Sequence, residues 1–307
     1  MEFRNVGSSD LRVSVAGLGC NNFGMRLDEE RTADVVNAAL DAGINFFDTA
    51  RMYGGGKSEE FLGAAVKSRR NEVTIATKFG APTGPDHRNG ARENVMKEVE
   101  ESLAALDTDY IDLYQMHYAD PGTPIEVTLE ALNDLVAQGK VRYIGCSNFT
   151  GWEIADADWV AATKGLAHFV SLQNEWSLLA RGIETEVLAA CERFGLGVLP
   201  YFPLASGVLT GKVKRGESPP EGSRLNAPYF AAYLNDVNHT KVEKLEAWTA
   251  EHGRSLTEVA LSYLASNPVT ASVIAGATSR EQVTANAAAT KTDLTAEERG
   301  ELAALLA

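Results

Sequence analysis

Asp41-Ala42-Gly43-Ile44-Asn45-Phe46-Phe47-Asp48 is the stretch on which the fold turns. A glycine sits just past a helical pattern, as a left-handed cap requires, then a short apolar run follows and a carboxylate closes it. The same punctuation recurs at Gln138-Gly139-Lys140 and at Phe194-Gly195. Working outward, residues 2–6 and 11–15 read as an N-terminal β-hairpin about the turn 7–10, and 16–20 as a strand. Further strands are expected at 44–48, 73–78, 111–116, 141–146, 170–173, 197–201 and 272–274. Between them helices are expected at 29–42, 58–69, 90–106, 126–138, 150–163, 182–195 and 279–288. Eight strands, each followed by a helix, predict an α/β fold whose parallel βαβ units close into a (β/α)8 TIM barrel. Additional helices toward the C-terminus are expected at 237–252, 255–266 and 295–306, and no linker divides the chain, so 1–307 reads as a single barrel domain. A doubly wound sheet would want Gly-x-Gly-x-x-Gly entering a helix. Gly17-Leu18-Gly19-Cys20-Asn21-Asn22 lacks the third glycine, and no helix starts there.

Composition narrows the function. Hydrophobic residues make up 45% and charged residues 23%, the balance of a globular protein with a large core. No apolar run approaches the ~18 residues of a membrane span, and Met1-Glu2-Phe3-Arg4-Asn5 lacks a basic-then-apolar export pattern. With 28 basic and 42 acidic residues the formal charge is −14, which repels phosphate backbones and anionic bilayers. Neither nucleic acid nor membrane is an expected partner. Cys20, Cys146 and Cys191 lie in apolar contexts without metal-like spacing. They read as buried thiols in a reducing cytoplasm, with no metal site, although Cys20 at a strand end keeps a second reading as a site residue.

Four proton-handling groups lie at or just beyond strand ends. Asp48 closes Ile44-Asn45-Phe46-Phe47, Tyr53 follows before Gly54-Gly55-Gly56, Lys78 closes Val73-Thr74-Ile75-Ala76-Thr77, and His117 closes 111–116. A polar group ending an apolar strand is delivered to the rim of the sheet, where clefts form. Singly, each reads as an ordinary surface or pairing residue; together they describe an acid–base site. A phenol near pKa ~10 handles protons poorly at neutral pH. A neighbouring Lys is expected to pull that value down, with an Asp holding the Lys in place.

Residues 203–236 break the alternation with a long loop, and the loops after the last strands of a barrel are the common phosphate location. Ser206, Gly207, Thr210, Gly211, Lys212 and Arg224 supply small residues, hydroxyls, backbone N–H groups and cations suited to a pyrophosphate.

The segments Gly43–Ala50, Tyr53-Gly54, Thr77-Lys78 and Asp112–His117 resemble the aldo-keto reductases, and the similarity runs from Gly17-Leu18-Gly19 to Asn286. The resemblance implies reversible reduction of an aldehyde or ketone by NADP(H), with NAD(H) possible, Tyr53 supplying the proton and His117, uncharged, placing the carbonyl. It implies Ser147, Asn148 and Gln173 on the nicotinamide carboxamide and Tyr201 stacked on its ring. Leu204, Ser206, Gly207 and Lys212 would hold the pyrophosphate, Gly276, Thr278, Gln282 and Asn286 the adenosine, and Lys212, Arg224, Thr278 and Arg280 the charge for a 2′-phosphate. Asn21, Asn22, Met25, Met52, Tyr118 and parts of 220–235 would line the substrate pocket.

Two features depart from the pattern. Phe202 stands where a small Ser or Thr is common, and Gly276-Ala277 with Gln282 resembles the bacterial and potassium-channel β-subunit branches. That second likeness implies an alternative: a regulatory protein that binds NADP(H) and turns over slowly.

Overall fold

A computed structural model describes residues 1–81 and 89–307. The hairpin strands β1 (Phe3–Asn5) and β2 (Arg12–Ser14) pair antiparallel, Phe3 opposite Ser14. Eight parallel strands follow: β3 (Ala16–Gly19), β4 (Phe46–Asp48), β5 (Thr74–Phe79), β6 (Ile111–Met116), β7 (Val141–Ser147), β8 (Phe169–Gln173), β9 (Gly197–Val198) and β10 (Val273–Gly276). Their order, β10-β3-β4-β5-β6-β7-β8-β9, leaves β9 and β10 to close the ring. Isolated parallel bridges, Val198 with Thr270 and Tyr201 with Ile274, make that closure. These bridges close the eight-stranded sheet into a barrel, which removes its edges.

Helices α1 (Glu29–Asp41), α2 (Lys57–Val66), α3 (Arg92–Leu106), α4 (Ile125–Ala137), α5 (Gly151–Lys164) and α6 (Val187–Phe194) alternate with the strands. Their ends obey local chemistry. Asp28 caps α1 by accepting from the Arg31 amide, Thr150 and Glu153 form a capping box on α5, and Gly43, Gly139 and Gly195 all take positive φ just past helix ends. The expected helix 182–195 divides into a 3-10 turn, Gly182–Glu184, and α6. The loop at 203–236 is less bare than its sequence suggests, holding 3-10 turns at Ala205–Thr210 and Arg224–Asn226 and a short α7 (Pro228–Ala231). Pro228 opens α7 at the one helical position where its missing N–H costs nothing. Then α8 (Asp236–Glu251) and α9 (Leu256–Ala265) precede β10, with α10 (Arg280–Ala289) and α11 (Ala296–Leu305) after it.

Phe46, Ala76, Leu113, Leu199 and Ile274 fill the barrel interior, and Val6, Leu11 and Val13 of the hairpin segment pack into the same cluster. Each large side chain so buried contributes roughly 1.5–3 kcal/mol. The hairpin thus plugs one end, and the site has to form at the other. Among the described residues, no helix is long and apolar enough to cross a membrane.

Candidate active site

The open end is the rim at which parallel strands terminate, and it gathers the four groups expected there. Asp48 ends β4, Tyr53 begins the 3-10 turn Tyr53–Gly56, Lys78 lies in β5 and His117 follows β6. Lys78 is sealed in at 1% exposure and directs its ammonium to three partners. It donates to Asp48 Oδ1 and Oδ2 at 2.8 and 2.9 Å, to the Thr49 carbonyl at 2.8 Å and to Tyr53 Oη at 3.4 Å. Burial works against this charge, but Asp48 and then Tyr53 outweigh it, and the ammonium stands above its ordinary pKa.

The phenol departs from expectation. Lys78 does pull Tyr53 downward, yet burial pushes harder, Asp48 adds to it, and the net shift is upward. Desolvation of a phenolate, which the sequence does not reveal, outweighs the cation beside it. His117 stands edge-on to Tyr53 at 6.2 Å between ring centroids and stacks on Tyr118 at 5.0 Å. Burial, helped by Lys78, drops its pKa to about 3, so the ring is neutral, as expected. Its Nδ1 is buried and has no hydrogen-bond partner among the described residues.

Every residue tied to the cofactor by resemblance except Arg280 lines one cleft of about 770 Å³, together with Asp48, Tyr53 and His117; Lys78 lies behind its wall. Ser147 pairs in register with Gln173, and its hydroxyl donates to the Gln173 carbonyl at 2.7 Å. Asn148, at φ +59°, donates to the His117 carbonyl at 3.0 Å and accepts from Tyr201 Oη at 2.8 Å. Phe202 and Ser206 also take positive φ in the cleft wall, strain that persists only where surroundings enforce it. Phe202 packs edge-on against Tyr201 at 5.1 Å and against Phe230 at 5.7 Å.

The donor set fits a dinucleotide. Ser206 Oγ is buried without a partner among the described residues, and a Cβ added at Gly207 would meet nothing within 4 Å. Lys212 and Arg224 line the cleft and form no ion pair with a carboxylate among the described residues. Arg224 instead donates to the amide oxygens of Asn21 and Asn22 at 3.0 and 2.9 Å. At the far end Gln282 accepts from Thr278 N at 2.8 Å, and Asn286 donates to the Gly276 carbonyl at 3.4 Å.

A family model described as the Aldo/keto reductase family matches residues 16–307. The chain belongs to that family. An uncharacterized oxidoreductase of Bacillus subtilis (strain 168) is 38% identical over 296 residues, which cover 92% of this chain and 89% of that one. A probable voltage-gated potassium channel subunit beta of Oryza sativa subsp. japonica is 36% identical, with 93% and 90% covered. A versiconal hemiacetal acetate reductase of Aspergillus parasiticus is 30% identical, with 97% and 95% covered. Carbonyl reduction with a nicotinamide cofactor is the general chemistry of this family.

Several residues of this aldo/keto reductase sit differently from the sequence expectation. Arg280 pairs with Asp34 at 2.9 Å and Asp41 at 3.3 Å, both on α1, and does not line the cleft. Met25 is 68% exposed and is likewise outside the lining, whereas Asn21, Asn22, Met52 and Tyr118 are within it. Cys20 lines the cleft, but burial and then Asp48 hold its thiol well above the usual range, which disfavours the thiolate. Cys146 and Cys191 are buried free thiols as well. The sequence reading passed over Arg26, Ser255 and Thr257, which also line the cleft. Ser255 caps α9 by accepting from the Glu258 amide, so the Ser-x-x-Glu signal was there to place that helix start.

Proposed function

We propose that this protein reversibly reduces aldehydes or ketones to alcohols in the cytoplasm, with NADP(H) preferred over NAD(H) and Tyr53 as the proton donor. The observation that carries the reading is the buried Asp48–Lys78 pair, whose ammonium lies 3.4 Å from a phenol held above its ordinary pKa. Tyr53 therefore stays protonated at neutral pH and has a proton to give as charge develops on the substrate oxygen. Lys78 is placed to stabilise the phenolate left behind, which is also the base needed for the reverse reaction. Asp48 keeps Lys78 charged and aimed. A neutral His117 whose buried Nδ1 lacks a partner carries its proton best on Nε2, where it can donate to the carbonyl oxygen.

When bound, the nicotinamide supplies the hydride. Ser147, Asn148 and Gln173 would hold its carboxamide and Tyr201 its ring. Leu204, Ser206, Gly207 and Lys212 would hold the pyrophosphate, with Gly276, Thr278, Gln282 and Asn286 around the adenosine. Lys212 and Arg224, cations without carboxylate partners among the described residues, favour a cofactor with a further phosphate.

A panel of aldehydes and ketones, followed by NADPH absorbance and repeated with NADH, tests the reading. Carbonyl-dependent oxidation of NADPH supports it; faster turnover and tighter binding with NADH would reverse the cofactor preference. Similarity to the rice protein favours a second reading, an NADP(H)-binding regulatory protein, which predicts tight cofactor binding with negligible turnover across the panel.

A further inference from the structure

Behind the catalytic wall, α2 begins with two buried polar residues that the reaction as proposed leaves without a part. Ser58 and Glu59 are both 0% exposed in the first turn of α2. Alternate residues of β5 face opposite ways, so Lys78 points into the barrel while Thr77 points back toward α2. Thr77 Oγ1 donates to Glu59 Oε1 at 2.7 Å. The other carboxylate oxygen, Oε2, lies 3.9 Å from Arg51 Nη1, and Arg51 Nε reaches Glu101 at 3.4 Å.

Arg51 precedes Tyr53 by two residues, and its guanidinium lies under the glycine turn. Gly56 takes φ +94°, and a Cβ there would stand 2.6 Å from Arg51 Nη1. The turn that carries Tyr53 is thus folded over a guanidinium that has Glu59 on its buried side and Glu101, closer, on its more exposed side. Ser58 reinforces the junction from its other side. Its hydroxyl donates to the Cys20 carbonyl at 2.8 Å and lies 2.8 Å from Thr49 Oγ1, in the residue whose carbonyl accepts from Lys78. Burial raises the pKa of the Glu59 carboxyl against the pull of Thr77, Ser102 and Arg51, and Oε2 has no hydrogen-bond partner among the described residues, so the charged form depends on these neighbours staying in place.

We propose that Glu59 is a positioning residue: through Arg51 it holds the Tyr53 turn, through Thr77 it holds the strand residue next to Lys78, and it thereby sets the distance between phenol and ammonium. The inference rests on the reading of Tyr53 and Lys78 as the proton-handling pair. Arg51, Glu59 and Thr77 all lie outside the cleft lining and act on the pair from behind it.

Glu59→Gln keeps the volume and the bond to Thr77 but removes the buried one of the two carboxylates beside Arg51. Because a misplacement of about 1 Å can cost on the order of 10²-fold, kcat is expected to fall at least about tenfold, with KM and cofactor affinity within a few-fold. The pH limb of alcohol oxidation should also move upward, since Lys78 no longer lies as close to the phenolate. Thr77→Val removes the other contact without altering charge and should shift kcat and the pH limb in the same directions. It serves as the test if Glu59→Gln does not fold. A native kcat and pH limb in either folded variant would overturn the proposal and leave Glu59 a packing residue. Tyr53→Phe is assayed in parallel. If it remains active, the underlying reading fails; if it is inactive while Glu59→Gln behaves as native, only the role of Glu59 fails.

Discussion

Gln173 Nε2 donates to Asp48 Oδ1 at 2.7 Å, across the barrel interior from β8 to β4. The bond ties a residue that the family resemblance places on the nicotinamide carboxamide to the carboxylate that orients Lys78. Both side chains are buried, Gln173 at 2% and Asp48 at 3% exposure, so the bond is largely shielded from solvent although both residues line the cleft. Replacing Gln173 by Leu should therefore lower the unfolding free energy by about 1.5–3 kcal/mol, the worth of a bond to a charged group. Denaturant titration of the two proteins measures it, and equal stabilities would mean that Lys78 alone satisfies Asp48.

Lys78→Met removes the cation that opposes the upward push of burial on Tyr53. The phenol pKa should rise further, so the activity limb for alcohol oxidation, which needs phenolate, should move to higher pH. Loss of assisted proton transfer should also cost kcat at least about 10²-fold. Oxidation rates across pH check both effects. A slow variant with an unmoved limb would make Lys78 a structural residue.

His117 is held neutral by burial and by Lys78, its pKa falling to about 3. In the unfolded chain it takes up a proton near pH ~6.5. As pH falls below that value, protonation favours the unfolded state, and His117 destabilises the fold progressively. Nitrogen-15 NMR of the histidines should show His117 unchanged between about pH 5 and 8, the window in which an unperturbed histidine titrates. A titration midpoint near the ordinary value would remove the argument that a neutral ring donates to the substrate carbonyl.

Much of this was legible in the sequence because strands and glycine caps are local. Asp48, Lys78 and His117 each close an apolar run, and parallel strands bring such endings to one rim. What escaped depends on packing. Glu59 and Glu60 are adjacent acidic residues in one helical turn, yet Glu59 is fully buried and Glu60 is exposed. Nothing in their immediate sequence separates them. Arg280 joins Arg224 as a candidate for a 2′-phosphate in the sequence, but α1 supplies Asp34 and Asp41 to Arg280, whereas Arg224 lines the cleft. The pKa of Tyr53 follows from how much water its hydroxyl loses, a quantity no spacing of residues encodes.

The most direct test of the account is Tyr53→Phe, assayed for carbonyl reduction alongside fluorescence titration with NADPH. The phenol acts on the substrate oxygen in the transition state, so its removal should abolish turnover and leave cofactor affinity within a few-fold. A variant that keeps near-native kcat would contradict Tyr53 as the proton donor, and with it the proposed reaction at this site.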